Sequence, residues 1–304
     1  MARNTAIRSG IGTALALLFL PLASLHGQTS SAEKQGALSE DKLSVPANFK
    51  TENLVVWCIV PFDAKNRGPA ERAEMVRRLR LSRVAYDWRD KHVPEFEQEI
   101  LEYKKRDIEY FAFWGWHDSM EPLIKKHQIQ PQIWQMYRGK QPAGTQAEKI
   151  KQATDQFLPL VEKTRALGLK LGIYNHGGWA GEPENMIAIC ENIRQNHNGN
   201  HVGIVYNFHH GHADVSGFEE TIKRLKPYLI CLNINGMADP ATVKRKTHLN
   251  QILPVGSGVH ERDMIRAVIA SGYDGPVGVL GHRADMDAEK SVGLNLKGLR
   301  EIFK

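Results

Sequence analysis

Eight short apolar runs rich in β-branched and aromatic residues alternate with longer segments of helical period, and this alternation constrains the chain more than any other feature. The runs fall at 54–60, 83–88, 108–114, 132–136, 170–175, 202–207, 229–234 and 276–280. Helical segments separate them at 69–79, 94–105, 120–126, 145–167, 184–195, 218–226 and 262–271, and a last one at 288–302 closes the chain. A helix between successive strands makes those strands parallel, because a parallel pair needs a crossover between its members. Eight such units predict an α/β fold of one domain, a (β/α)8 barrel over 51–304. The competing open sheet lacks its usual mark: no G-x-G-x-x-G follows the first run, where Val60-Pro61-Phe62-Asp63 stands instead. Punctuation agrees with the helices. Gly168 sits where a helix end needs positive φ, and Pro69 and Pro94 sit where a first turn tolerates a missing N–H.

The first 50 residues read differently. Arg3 and Arg8 lead into an apolar stretch at 11–23 that ends near Gly27, the pattern of a secretory signal peptide over 1–27. A polar, period-free flexible leader is expected at 28–50, so the barrel is expected to be exported to the periplasm or beyond. No later apolar stretch approaches the ~20 residues of a membrane span. Cys58, Cys190 and Cys231 lie in apolar contexts without metal-like spacing and are expected as buried free thiols. The net charge of +6 is spread among interleaved acids and bases, which gives no basic stripe for nucleic acid.

In such barrels the chemistry sits at the C-terminal strand ends and the loops after them. Those ends are unusually polar and aromatic. The first carries Asp63 and Arg67, the second Asp87, Trp88 and Arg89, and the third Trp114, Trp116 and His117. The fifth carries Tyr174, His176 and Trp179, with Glu182 beyond, and the sixth Asn207, His209, His210 and His212. The seventh offers Asn233 and Asn235, which alternation places on one inward face, and the eighth His282. A ligand rich in hydroxyl groups would give so many polar groups a purpose, since each hydroxyl both donates and accepts. The tryptophans can stack on a sugar ring or simply pack. Asp63 with Arg67, and Asp87 with Arg89, can hold substrate or pair with each other, pairing being the commoner use. Glu184 opens a helix, where an acid is favoured anyway.

From Leu167 to Gly281 the sequence resembles the xylose-isomerase-like sugar isomerase and epimerase superfamily. The stretches that carry the resemblance are Leu169-Lys-Leu-Gly-Ile-Tyr-Asn-His-Gly-Gly178, Val202-Gly-Ile-Val-Tyr-Asn-Phe-His-His-Gly-His212 and Pro227-Tyr-Leu-Ile-Cys-Leu-Asn-Ile-Asn-Gly236. Ile252-Leu-Pro-Val-Gly-Ser-Gly258 and Ser271-Gly-Tyr-Asp-Gly-Pro-Val-Gly-Val-Leu280 complete the set. The resemblance implies a divalent metal on strand-end carboxylates and histidines, but Tyr174, Asn207, Asn233 and Leu280 stand at four of those positions and only His210 matches. The usual metal site therefore reads as degraded, since a hard ion needs anionic oxygens. His210 with His176 or His282 could instead ligate a softer ion such as zinc. The resemblance also points to a secreted subgroup associated with keto-sugar chemistry.

These residues predict a sugar or keto-sugar isomerase, epimerase or related lyase that abstracts a proton next to a carbonyl. His176, His210 and His282 are the expected acid–base residues, because an imidazole pKa near ~6.5 suits proton exchange at neutral pH. Asp63, Arg67, Trp88, Trp116, His117, Tyr174, Trp179, Glu182, Asn207, His209, His212, Asn233 and Asn235 are the expected substrate contacts. The competing reading is a carbohydrate-binding barrel without turnover. An apurinic-site endonuclease on the same barrel is disfavoured by the missing carboxylates.

Overall fold

A computed structural model describes residues 44–243 and 248–304. The predicted signal peptide and the leader as far as residue 43 lie outside the described residues. Eight parallel strands close into a barrel: β1 (Val55–Trp57), β2 (Arg83–Tyr86), β3 (Glu109–Trp114), β4 (Gln132–Gln135), β5 (Leu171–Tyr174), β6 (Val202–Asn207), β7 (Leu229–Ile234) and β8 (Val277–Leu280). Each pairs with its sequence neighbours, and β8 returns to β1 through Val55↔Gly278 and Trp57↔Leu280. Every predicted strand is present, and β6 and β7 have the expected limits.

Alternation then builds two cores. Val55, Trp57, Ala85, Trp134, Tyr174, Val205, Cys231 and Leu280 pack together inside the barrel. Val56, Val84, Phe113, Ile133, Ile173, Ile204, Leu232 and Val279 join the larger cluster that includes the helices' apolar residues. The helices of eight residues or more are α1 (Pro69–Arg78), α2 (Phe96–Lys105), α3 (Met120–His127), α4 (Gln146–Ala166), α5 (Pro183–Asn196), α6 (Phe218–Leu225), α7 (Glu261–Ala270) and α8 (Ala288–Ile302). Thr145 caps α4 in a capping box: its hydroxyl accepts from Glu148 N–H, and Glu148 accepts from Thr145 N–H. Gly168 follows that helix with φ +69°, as its position required.

Two expectations shift. Pro94 does not open α2; it lies inside a 3-10 helix, Asp90–Glu95, and the α-helix begins at Phe96. The barrel also begins before residue 51. Ala47–Phe49 forms a 3-10 turn, Phe49 is buried with its ring 5.6 Å from that of Phe303, and Asn48 donates to the carbonyls of Tyr273 and Gly275. After β7, Gly236–Met237 pairs antiparallel with Ile252–Leu253, which carries Ile252 into the inner core. The three cysteines are buried and free.

Candidate active site

Two non-glycine residues with left-handed backbone meet at the end of β1. Past Trp57, Cys58 takes φ +57°, and across the β1–β8 seam His282 takes φ +33°. His282 N–H donates to Cys58 O, and Gly281 N–H to Trp57 O, so the two left-handed residues are bonded to each other. For side chains with a Cβ this conformation costs about 1–3 kcal/mol each, and such residues gather at functional sites. The turn directs His282 onto Phe62, whose ring it stacks on at 3.8 Å and 24°.

From His282 an arc of imidazoles crosses the barrel mouth. His209 lies 4.9 Å from His282 between ring centroids, His210 4.0 Å from His209, and His176 4.5 Å from His210. Tyr174 stands 5.8 Å from His210. These side chains, with Trp57, Cys58, Phe62, Asp87, Arg89 and Trp114, line a cavity of about 210 Å³. The three expected acid–base residues thus share one cavity, and His209 joins them.

Asn207 fixes much of this wall. Its side-chain oxygen accepts from His209 N–H at 3.0 Å and its amide donates to the Tyr174 hydroxyl at 2.6 Å, while Asn175 bonds its backbone on both sides. Burial holds the Tyr174 phenol far above its ordinary range, so it stays neutral. Its own proton remains available to a substrate oxygen. Burial also keeps the Cys58 thiol protonated, with the Asp87 charge acting in the same direction.

Asp87, which the sequence offers as a rim pair with Arg89 or a substrate anchor and which stands outside the expected acid–base set, also lines this cavity. It is 2% exposed, its Oδ1 accepts a long bond from Val60 N–H at 3.4 Å, and its Oδ2 has no hydrogen-bond partner among the described residues. Burial pushes its carboxyl up to about 7, against the opposing charge of Arg89. The expected Asp87–Arg89 pair does not form. Arg89 instead lies over the rings of Phe62 and Trp114, at 5.4 and 5.6 Å, and donates to Trp88 O. A buried acid in a cleft, with no ion-pair partner in contact, is the signal that would have marked it.

Several expected contacts lie elsewhere. Asp63 and Arg67 form a buried ion pair at 2.9 Å, extended to Asp287 at 2.8 Å, and Asp63 also accepts from Ala288 N–H. Pairing, the commoner reading, is what the structure shows; the pair joins the β1–α1 loop to α8 and does not line the cavity. Trp88 and His117 pack against each other and Phe96, and His117 Nδ1 accepts from Ser119 N–H. Trp116 donates to Asp118 and sits under Lys163 in a separate groove of about 380 Å³, which it lines with Arg138 and apolar α4 residues. That groove is larger than the mouth cavity, but it brings no acid–base pair together.

Trp179 bonds Gln141 and Gln146, and Glu182 accepts from Asn185, so both brace the β5–α5 loop. Glu184 pairs with Arg224. His212 bridges the carbonyls of His209 and Gln251. The two strand-7 asparagines do not reach the cavity as expected. Asn233 is enclosed in the barrel near Cys231, in space that exists because residue 278 is glycine; a Cβ there would stand 1.9 Å from Asn233 Oδ1. Asn235 turns back to donate to Gly236 O.

The donor set does not fit a hard divalent ion. At the strand ends where the resemblance implies carboxylates stand the neutral phenol of Tyr174, the amide of Asn207 and Leu280, Asn233 stands where it implies a histidine, and the Tyr174 and Asn207 groups are already bonded to each other. Among the described residues no three His, Cys, Asp or Glu side chains are arranged to hold a metal ion.

The profile of the xylose isomerase-like TIM barrel family matches residues 123–302. The chain belongs to that family. Among solved structures of the same fold is the IolI protein with a bound zinc atom, 15% identical, covering 82% of this chain and 97% of its own, with a TM-score of 0.63. A 3-keto-D-glucoside 4-epimerase from E. coli is 14% identical over 83% of this chain and all of its own, with a TM-score of 0.56. D-psicose 3-epimerase from Clostridium cellulolyticum H10, solved with D-tagatose, is 10% identical over 82% of this chain and 99% of its own, also at 0.56. At these identities the likeness is one of fold. No curated protein matches the chain.

Proposed function

We propose that the mouth cavity transfers protons next to the carbonyl of a sugar or keto-sugar, making the protein an isomerase, epimerase or related lyase. The observation that carries this reading is the arc of His176, His210, His209 and His282 lining one aromatic-walled cavity. At about 210 Å³ the cavity is smaller than the ~300–1,000 Å³ pockets that take drug-sized ligands, which suits a single sugar ring. Trp114 and Phe62 offer ring faces to its C–H surfaces. Two neighbours of the same fold carry names of keto-sugar epimerases, which guides the choice of substrates.

Each group then has a task. An imidazole of the arc removes the proton on the carbon beside the carbonyl, and the electron pair moves onto the carbonyl oxygen. The neutral Tyr174 hydroxyl, held by Asn207, donates to the oxygen as its charge develops. Aromatic walls limit water, which strengthens that donation. No step runs through a metal ion. Replacing His176, His210 or His282 singly by Ala should lower kcat by ~10²-fold or more on ketohexoses or 3-keto-glucosides, with the circular dichroism spectrum unchanged. Variants that change only sugar affinity would make the barrel a receptor and end the enzymatic reading.

A further inference from the structure

Resting on the proton-transfer reading, we infer that Asp87 is a catalytic residue of this site, exchanging a proton with the substrate on the face opposite His210. The topology supplies the opposition. In the closed ring β1-β8-β7-β6-β5-β4-β3-β2, strand β2 is four places from β6 in either direction. Asp87 follows β2, while His209 and His210 follow β6, and all three line the same cavity. A sugar ring held between these two strand ends presents one face to His209 and His210 and the other to the carboxyl.

The environment of Asp87 fits that task and no structural one. A buried carboxyl that stabilises a fold spends both oxygens on donors, as Asp63 does with Arg67 and three backbone N–H groups. Asp87 spends one on a long bond from Val60 N–H, and its Oδ2 is buried at the cavity without a hydrogen-bond partner among the described residues. Leaving such an acceptor unpaired costs on the order of 1–3 kcal/mol, a cost that the hydroxyl of a bound sugar would remove. Arg89 lies over two aromatic faces and makes no ion pair with it, so its charge opposes the buried carboxyl only across the cavity.

The reaction balances without a co-reactant. His210 takes the proton from the carbon beside the carbonyl, and the C–H electron pair becomes the enolate C=C while the carbonyl π pair moves to oxygen. Asp87, entering as the acid, then gives its proton to the opposite face of that carbon as the pair returns. The product is the epimer, with Asp87 left as carboxylate and His210 as imidazolium; exchange with solvent resets both.

The test follows ketohexoses and 3-keto-glucosides in D2O by ¹H NMR, comparing wild type with Asp87→Asn, which keeps shape and the Oδ1 acceptor. Expected is epimer formation reduced ~10²-fold or more, while solvent deuterium still enters the starting epimer within a few-fold of the wild-type rate. A structural role would depress both together, so loss of both in a folded variant overturns the assignment. So does epimer formation within a few-fold of wild type, or a wild-type enzyme that moves the proton only between neighbouring carbons on one face. No deuterium entry with wild-type protein on any of these sugars would instead remove the proton-transfer reading, and the role of Asp87 with it.

Discussion

Asp87 and Asp63 are both buried aspartates beside an arginine in sequence, and they behave in opposite ways because of what their oxygens meet. Burial raises the Asp87 carboxyl to about 7, whereas an unfolded chain titrates near ~3.9. The folded protein therefore binds a proton that the unfolded chain releases between about pH 4 and about pH 7. Stability from this group is present below that window and is lost as pH rises through it. The groups that share its cavity are Cys58, Tyr174, Arg89, His176, His209, His210 and His282, and Arg89 and Arg72 carry the fixed opposing charges that act on it. Asp87→Asn should then stabilise the protein at pH 8 by up to about 4 kcal/mol in urea denaturation, and by little at pH 4. Equal or lower stability of the variant at pH 8 would contradict the buried, unpaired charge. Calorimetry with Mn²⁺ or Mg²⁺ should show no tight stoichiometric binding, since the strand-end groups at Tyr174, Asn207 and Leu280 bring no anionic oxygen.

Elements were more legible in the sequence than side-chain partners, and the reason is range. A strand declares itself through alternation over a few residues, and so 202–207 and 229–234 were read with their limits intact. A partner hundreds of positions away leaves no such trace. Arg67 meets Asp287, and Asp63 meets Ala288, only through closure of the barrel, and Asn233 is enclosed because position 278 carries no Cβ. His176, His210 and His282 could be brought together on paper because strand order alone places their loops round one mouth. Asp87 was read with Arg89 as a rim pair because spacing cannot show that Arg89 turns toward Phe62 and Trp114.

Two clamps between elements can be measured. Arg72 of α1 and Glu99 of α2 form an ion pair with side chains 2% and 0% exposed. Glu99→Ala leaves the guanidinium buried and should cost ~3–5 kcal/mol in denaturation. Asp287, which caps α8, is held at about 2: burial would raise it, but Lys65, Arg67 and the Glu289 N–H lower it further. Its contribution is thus present above about pH 4 and lost as pH falls toward about 2. Asp287→Asn should flatten the wild-type loss of stability in that interval; an unchanged acid profile would exclude the clamp.

At the scale of the whole molecule, a closed ring of parallel strands turns scattered motifs into one mouth, while the 47–53 segment and Phe303 pack together away from it in sequence and in contact. The residues before this segment bear our proposal of export: N-terminal sequencing of the exported protein should begin near Gln28, and a chain starting at Met1 or Ala2 would refute it. The chemistry at the mouth is open to a single direct reading. Wild-type protein incubated in D2O with ketohexoses and 3-keto-glucosides should place deuterium on the carbon beside the carbonyl of at least one of them, and His210→Ala should slow that entry ~10²-fold or more. Deuterium entry that is absent from the wild type, or untouched by loss of His210, would contradict a proton-transfer site at the mouth of this barrel.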